Sequence, residues 1–271
     1  MKNKLIMYLM IASVAYSQEN ADMTGVTISF GGGSVNTVIP AFIGNFAVND
    51  ESGSNSTYFF SADIEGSESY SPLLLTMSGD LAHRLGMDLG KMDVPLSFSI
   101  GYAPLGGGAG IFSGLIGAGI GYRVHDFVKL GAGAGFGFLG YNISFDVERE
   151  SLGDIFMTFD GTDIYFDNDG LARATLQKDG AVLAPEFNLQ LGKEDGKLGL
   201  QVKYQMLSHS SDPTDPWKIR FTETIDDKED KASVTIDYTG SYVYDGGTEF
   251  PELDLSGGLL SVELILRMGN F

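Results

Sequence analysis

The 271-residue sequence contains no cysteine. This excludes a disulfide framework, a thiolate zinc site and a cysteine nucleophile. Histidine is scarce, with only His83, His125 and His209. Three dispersed imidazoles without cysteine do not assemble a transition-metal site, and no cofactor is called for. Beyond the N-terminus there is no apolar run of about 18 residues or more, which excludes a bundle of membrane-spanning helices. Basic residues are few, 17 against 36 acidic ones. A chain this acidic repels nucleic acid and suits a cationic partner or a surface bridged by divalent ions.

Glycine is abundant, at 37 residues, beside a hydrophobic fraction of 43% and an aromatic fraction of 11%. So much apolar surface excludes a wholly disordered chain. Residues 1–17 read as a secretory signal peptide. Lys2 and Lys4 form its positive end, Leu5 to Val14 its apolar core, and Ala15-Tyr16-Ser17 a cleavage site before Gln18. Removing the two lysines leaves 15 basic and 36 acidic residues, a net charge of −21. Residues 18–271 read as a single domain.

Period-2 alternation recurs along that domain, and a 3.6-residue period hardly appears, so the elements are half-buried strands. Leu96, Phe98, Ile100 and Tyr102 share one face, as do Ile116, Ala118, Ile120 and Tyr122. Leu130, Phe136 and Phe138 follow, then Leu198, Leu200, Tyr204 and Met206, and finally Leu260, Val262, Leu264 and Leu266. Arg123, Lys129, Lys203, Glu263 and Arg267 all fall on the opposite face. A bilayer demands this separation, because a Lys or Arg on the lipid face near the midplane costs about 2–4 kcal/mol. That opposite face also carries Gly117, Gly119 and Gly121, then Gly131, Gly133, Gly135 and Gly137. Seven glycines on one face imply a narrow lumen, a sharp bend in the wall or a packed plug. The run Val128 to Gly140 extends roughly 43 Å, about 33 Å at a tilt of about 40°, which is enough to cross the apolar band.

Twelve strands are read, near 24–31, 36–47, 56–64, 72–85, 92–103, 110–124, 127–147, 181–192, 197–208, 217–225, 232–243 and 258–270. Ten is the alternative, because Pro40 does not suit a paired strand. His125-Asp126, Lys193 to Gly196 and Asp226 to Asp230 read as short periplasmic turns. Ser208 to Pro216, Asp245 to Ser256 and a long loop near 151–180 read as extracellular.

The signal peptide, the glycine-aromatic strands of Gly114 to Tyr141 and the terminal Leu266-Arg267-Met268-Gly269-Asn270-Phe271 resemble the bacterial outer-membrane β-barrel proteins. The resemblance implies an all-β, transmembrane, antiparallel up-and-down barrel in the outer membrane. A C-terminal Phe is typical there, with apolar residues in phase with it. Here the in-phase set is Gly269, Arg267, Ile265 and Glu263, which implies a register shift near Gly269 or an unusual reading of Phe271.

On these strand phases Asp80, Arg84, Lys203, Lys218, Arg220, Asp237, Glu263 and Arg267 point into the lumen, either paired across a closed barrel or lining a water channel. Glu223 conflicts, because it shares a face with Trp217, Ile219 and Phe221. It requires a place at the membrane margin or a different phase. Asp160, Asp163, Asp167 and Asp169 are weak calcium candidates whose spacing does not match the twelve-residue loop. His209 precedes Ser210, Ser211 and Asp212, which make a turn more readily than a catalytic set. His83 lies close in sequence to Asp80 and Arg84. The expectation is a non-enzymatic structural or partner-binding subunit of an envelope complex, in contact with outer-membrane lipid. Its alternatives are a passive pore for small polar solutes, a membrane-embedded lipid hydrolase or acyltransferase, and a secreted soluble β-sandwich or lipocalin-like binder.

Overall fold

The computed structural model describes residues 26–49, 57–148, 155–159, 162–165, 171–193, 196–211, 217–224, 231–237, 242–244 and 252–268. The signal-peptide reading lies outside them. The elements run β1 (Val26–Ile39), β2 (Phe42–Asn49), β3 (Thr57–Ile64), β4 (Ser67–Tyr70), β5 (Leu73–Asp80), a one-turn helix α1 (Leu81–Arg84), β6 (Met92–Asp93), β7 (Pro95–Gly106), β8 (Ala109–His125) and β9 (Val128–Glu148). They continue with β10 (Ile155–Phe159), β11 (Thr162–Tyr165), β12 (Leu171–Leu191), β13 (Leu198–Ser210), β14 (Lys218–Thr224), β15 (Lys231–Asp237), β16 (Tyr242–Tyr244) and β17 (Gly257–Met268).

The pairing is antiparallel throughout, and it closes on itself. β1 pairs with β5, β5 with β7, β7 with β8, β8 with β9, β9 with β12, β12 with β13, β13 with β17, and β17 with β1. The sheet contains twelve strands, of which these eight form the ring. Four runs counted from the sequence account for the difference. Residues 56–64, 217–225 and 232–243 alternate like wall strands but lie off the ring, and the run near 36–47 divides between the end of β1 and β2. β2, β3 and β16 form a separate three-stranded sheet, while β14 and β15 extend the sheet from the first half of β12. An alternating pattern marks any half-buried strand, whatever covers its apolar side.

The ring has two unlike ends. Short connections at Asp126-Phe127 and residues 192–197 lie at one end, with the start of β1 and the end of β17. The ends of β1, β9 and β13 lie at the other, with the starts of β5, β12 and β17. Residues 171–180, read from sequence as part of the long loop, are the first half of β12 and pair with β9 from Glu148 to Leu139. β14 climbs beside them toward the long-loop end, with Lys218 opposite Gln177 and Thr222 opposite Arg173. The end of β14 and the start of β15 therefore lie at the long-loop end; Asp226 to Asp230, read as a short periplasmic turn, lie outside the described residues.

The outward face matches the sequence phases in β7, β8, β9, β13 and β17. Phe136 is 64% exposed and Leu260 54%, while the glycine stripe faces in. Tyr122 and Phe127 border this belt near the short turns, and Tyr102 and Tyr204 border it near the long loops, all of them exposed. No charged side chain lies on the outward face between these aromatics among the described residues.

Several glycines lie where adjacent backbones come too close for side chains. A Cβ on Gly119 would lie 2.7 Å from the Ala132 carbonyl oxygen, and one on Gly31 would lie 2.6 Å from Glu263 Cα. These seams, β8–β9 and β17–β1, divide the ring into two runs of four strands. At these seams the glycines serve close strand approach. The register of β17 runs unbroken from Gly257 to Met268 against its neighbours. Gly269 to Phe271 lie outside the described residues.

Candidate functional site

An eight-stranded ring is just wide enough for its own side chains to fill. Its inside is layered. Midway along β17, alternation with the outward Val262 and Leu264 sends Ser261 and Glu263 inward, and the same alternation turns Lys203 and Gln205 of β13 inward. Lys203 Nζ lies 2.9 Å from Glu263 Oε1, with side chains 4% and 0% exposed. The Ser261 hydroxyl donates to the same oxygen at 3.2 Å, and the Ser29 hydroxyl of β1 donates to Oε2. Both carboxylate oxygens are thus satisfied, as a charge buried this deeply requires. Gly31, directly opposite Glu263, leaves room for the close β1–β17 approach.

Further polar pairs extend this layer. Thr76 and Ser99 hydroxyls meet at 2.9 Å, Gln205 Nε2 donates to Glu186 Oε2 at 2.9 Å, and Gln190 Nε2 donates to Gln201 Oε1 at 3.1 Å. Toward the short turns, Lys129 pairs with Asp93, and Arg267 donates to the carbonyls of Gly196 and Leu198 at 2.9 and 3.3 Å.

Toward the long loops the interior turns apolar. Leu74, Leu115, Leu139, Val182, Leu207 and Leu259 are buried above the ion pair. Over them Phe42 stacks on Tyr141, ring centroids 5.1 Å apart, and Trp217 packs edge-on against both. Leu253 and Leu255, just before β17, complete this cap. Between the layers remains a cavity of about 20 Å³ that reaches Ser99, Lys203 and Gln205, room for about one water molecule.

The eight residues read as lumen-facing therefore separate. Lys203 and Glu263 are joined in the closed interior. Asp80 caps α1, its carboxylate accepting the Ala82 and Val94 amides at 3.0 Å each, and Arg84 is exposed on that helix. Arg267 sits at the rim. Lys218 and Arg220 belong to β14, off the ring, where Lys218 is half-buried and Arg220 exposed; Asp237 of β15 pairs in register with Lys218. The Glu223 conflict has the same origin. Trp217 and Ile219 are buried in the cap, so the apolar side of β14 packs on protein rather than on lipid. Of the calcium candidates, Asp163 lies in β11 opposite Thr158, while Asp160, Asp167 and Asp169 lie outside the described residues. Sequence reading missed Ser29, Ser261, Gln205 and Glu186. Their signal was position alone, since each alternates with outward apolar residues.

The histidines serve the backbone. His125 Nδ1 accepts the Phe127 amide at 3.3 Å in its turn, and His83 is exposed. His209 Nδ1 accepts the Leu255 amide at 3.3 Å, and its own amide donates to the Ser256 hydroxyl at 2.9 Å. Burial lowers the His209 pKa, opposed chiefly by nearby Asp254. Hydrogen bonds from the Ser256 hydroxyl and amide hold Asp254 low in turn.

No family model and no curated protein sequence matches the chain. Among solved structures it is similar to the "TodX monoaromatic hydrocarbon channel deltaS2 mutant", at 9% identity and a TM-score of 0.29, covering 91% of this chain and 68% of that one. It is similar also to the translocator domain of autotransporter NalP from Neisseria meningitidis, at 12% identity and a TM-score of 0.24, covering 98% and 96%. A third likeness is to a Pseudomonas aeruginosa FadL homologue, at 8% identity and a TM-score of 0.22, covering 90% of each chain. At these scores the likenesses decide neither strand number nor role.

Proposed function

We propose that this chain is an integral outer-membrane β-barrel, exported through its signal peptide with cleavage near Ser17, that acts as a sealed structural or partner-binding subunit of an envelope complex. The observation that carries this reading is a contrast between two surfaces. The outside of the ring is a belt of exposed Leu, Ile, Val and Phe edged by aromatics, which suits lipid. The inside holds a satisfied ion pair beneath an aromatic cap, which suits a plug. A solute path would need a polar passage through Phe42, Tyr141 and Trp217. The same cap separates the Lys203–Glu263 layer from any external substrate, and the His209 imidazole is engaged with a backbone amide, so the reading is non-enzymatic. With conduction and catalysis set aside, the long acidic connections at one end are the surface left for partners, cationic ones by charge.

The test is reconstitution into planar bilayers with measurement of single-channel current. Silence is the expected result. Reproducible conductance steps that disappear when the cap is crosslinked would replace this reading with the pore.

A further inference from the structure

We infer that the connection between β5 and β7 is a membrane foot, seated in the phospholipid leaflet on the short-turn side. The inference rests on the reading that the apolar belt faces lipid. The other connections at this end are short, two residues between His125 and Val128 and six between Leu191 and Leu198. This one runs from α1 to Val94 and exposes four large apolar side chains, Leu85 at 65%, Met87 at 52%, Leu89 at 36% and Met92 at 45%.

The exposure belongs to a built conformation. Asp80 caps the helix and also holds the Val94 amide; the Leu81 amide donates to the Val94 carbonyl at 2.9 Å, and the Met87 amide to the Ala82 carbonyl at 2.9 Å. The Arg123 amide of β8 donates to the Lys91 carbonyl at 2.9 Å, which ties the segment to the wall. Gly86 and Gly90 adopt φ of 68° and 65°, with open space where a Cβ would be, so they are needed for chain reversal rather than for clearance. Apolar residues fixed outward at alternate positions need an apolar medium.

Position says which medium. Met92 pairs in register with Tyr122, so the foot continues the outer face of β8 at the aromatic edge of the belt. Its charges suit a headgroup layer, with Arg84 and Lys91 exposed beside the apolar set and His83 on the same helix. The one acid between Arg84 and Lys91, Asp88, is exposed as well, and its carboxylate accepts the Gly90 amide at 2.8 Å. Apolar side chains flanked by exposed cations fit an interface with anionic phospholipid.

The cysteine-free chain makes the test direct. Single variants Leu89→Cys, Asp126→Cys and Val262→Cys carry a bimane label in vesicles of phosphatidylethanolamine and phosphatidylglycerol. Quenching is read with aqueous iodide and with lipids bearing nitroxides at shallow or deep positions. The foot predicts that the Leu89 label is quenched by the shallow nitroxide and is several-fold less sensitive to iodide than the Asp126 label in the neighbouring turn. A doubly charge-reversed background, Arg84→Glu with Lys91→Glu, should weaken the shallow quenching. Iodide sensitivity equal to that at Asp126, or shielding from both quenchers as in a protein contact, would overturn the foot. Val262→Cys reports separately on the belt. Deep quenching at Val262 with none at Leu89 overturns the foot alone, and no deep quenching at Val262 overturns the lipid reading itself.

Discussion

Replacing Lys203 with Met keeps the length of the side chain and removes the counter-charge of Glu263. The carboxylate then stays fully buried with only the Ser29 and Ser261 hydroxyls to stabilise it. Removing one partner of a buried pair costs about 3–5 kcal/mol. At about 1.4 kcal/mol per tenfold, that lowers the folding constant by roughly two to three and a half orders of magnitude. The two remaining donors place the expected loss near the lower bound. Glu263→Met in the same chain removes the stranded charge and leaves two hydroxyls without an acceptor, at about 1 kcal/mol each. The double variant should therefore be more stable than Lys203→Met alone. Reversible urea unfolding in lipid vesicles, followed by Trp217 fluorescence, measures all three chains. A Lys203→Met loss within about 1 kcal/mol of zero, or a double variant as weak as the sum of the singles, would refute the reasoning that the pair lies in a closed, dry interior.

Three further outcomes follow from the same geometry. Leu264→Arg, on the outward face of β17, should cost about 2–4 kcal/mol in vesicles, read by the same urea unfolding; a negligible cost would place that side chain in water. Gly119→Val forces a side chain against the Ala132 carbonyl and should cost about 1–3 kcal/mol or more, read as loss of the heat-modifiable folded band on gels, with Ala118→Val, its outward neighbour, as the tolerated control. His209 supplies a pH dependence. Its folded pKa lies below the ordinary 6.5, so its contribution is fully present above pH 6.5 and is lost as pH falls through the lower folded value. Protonation fills Nδ1, which then cannot accept the Leu255 amide, in a setting that also includes Asp254, Asp179 and Lys178. Exchange of the Leu255 amide hydrogen should therefore accelerate below that pH in the parent and lose the acceleration in His209→Gln.

The phases of the wall strands were legible because Lys129, Lys203, Glu263 and Arg267 all fall on the face opposite the exposed apolar side chains and so mark the inward side. The number of wall strands was not legible. Trp217 and Ile219 in β14 alternate as a lipid-facing strand does, yet they face the cap, and local sequence does not distinguish oil from a protein interior. Residues 171–180 read as loop because Arg173, Lys178 and Asp179 are charged. They form strand because they pair in unbroken register with β9, with Lys178 buried on one face and Asp179 exposed on the other. The site was half legible. Lys203 and Glu263 were placed inward, but their pairing depends on β13 and β17 being neighbours across the segment 211–256. Ser29 contributes from a strand more than 230 residues away in sequence, and no local pattern announces it.

The central claim is that even-numbered residues of β9 face lipid while odd-numbered ones face a filled interior. Spin labels on single cysteines at Leu130, Ala132, Ala134, Phe136 and Phe138, and at the inward Lys129 and Leu139, measure this through their accessibility to apolar oxygen and to a water-soluble nickel chelate. Oxygen accessibility should be high at Leu130, Ala132, Ala134, Phe136 and Phe138, with the buried Leu139 shielded from both reagents. Nickel access at the even positions would put the belt in water, and nickel access at Leu139 would open the lumen; either result would contradict a sealed, lipid-spanning ring.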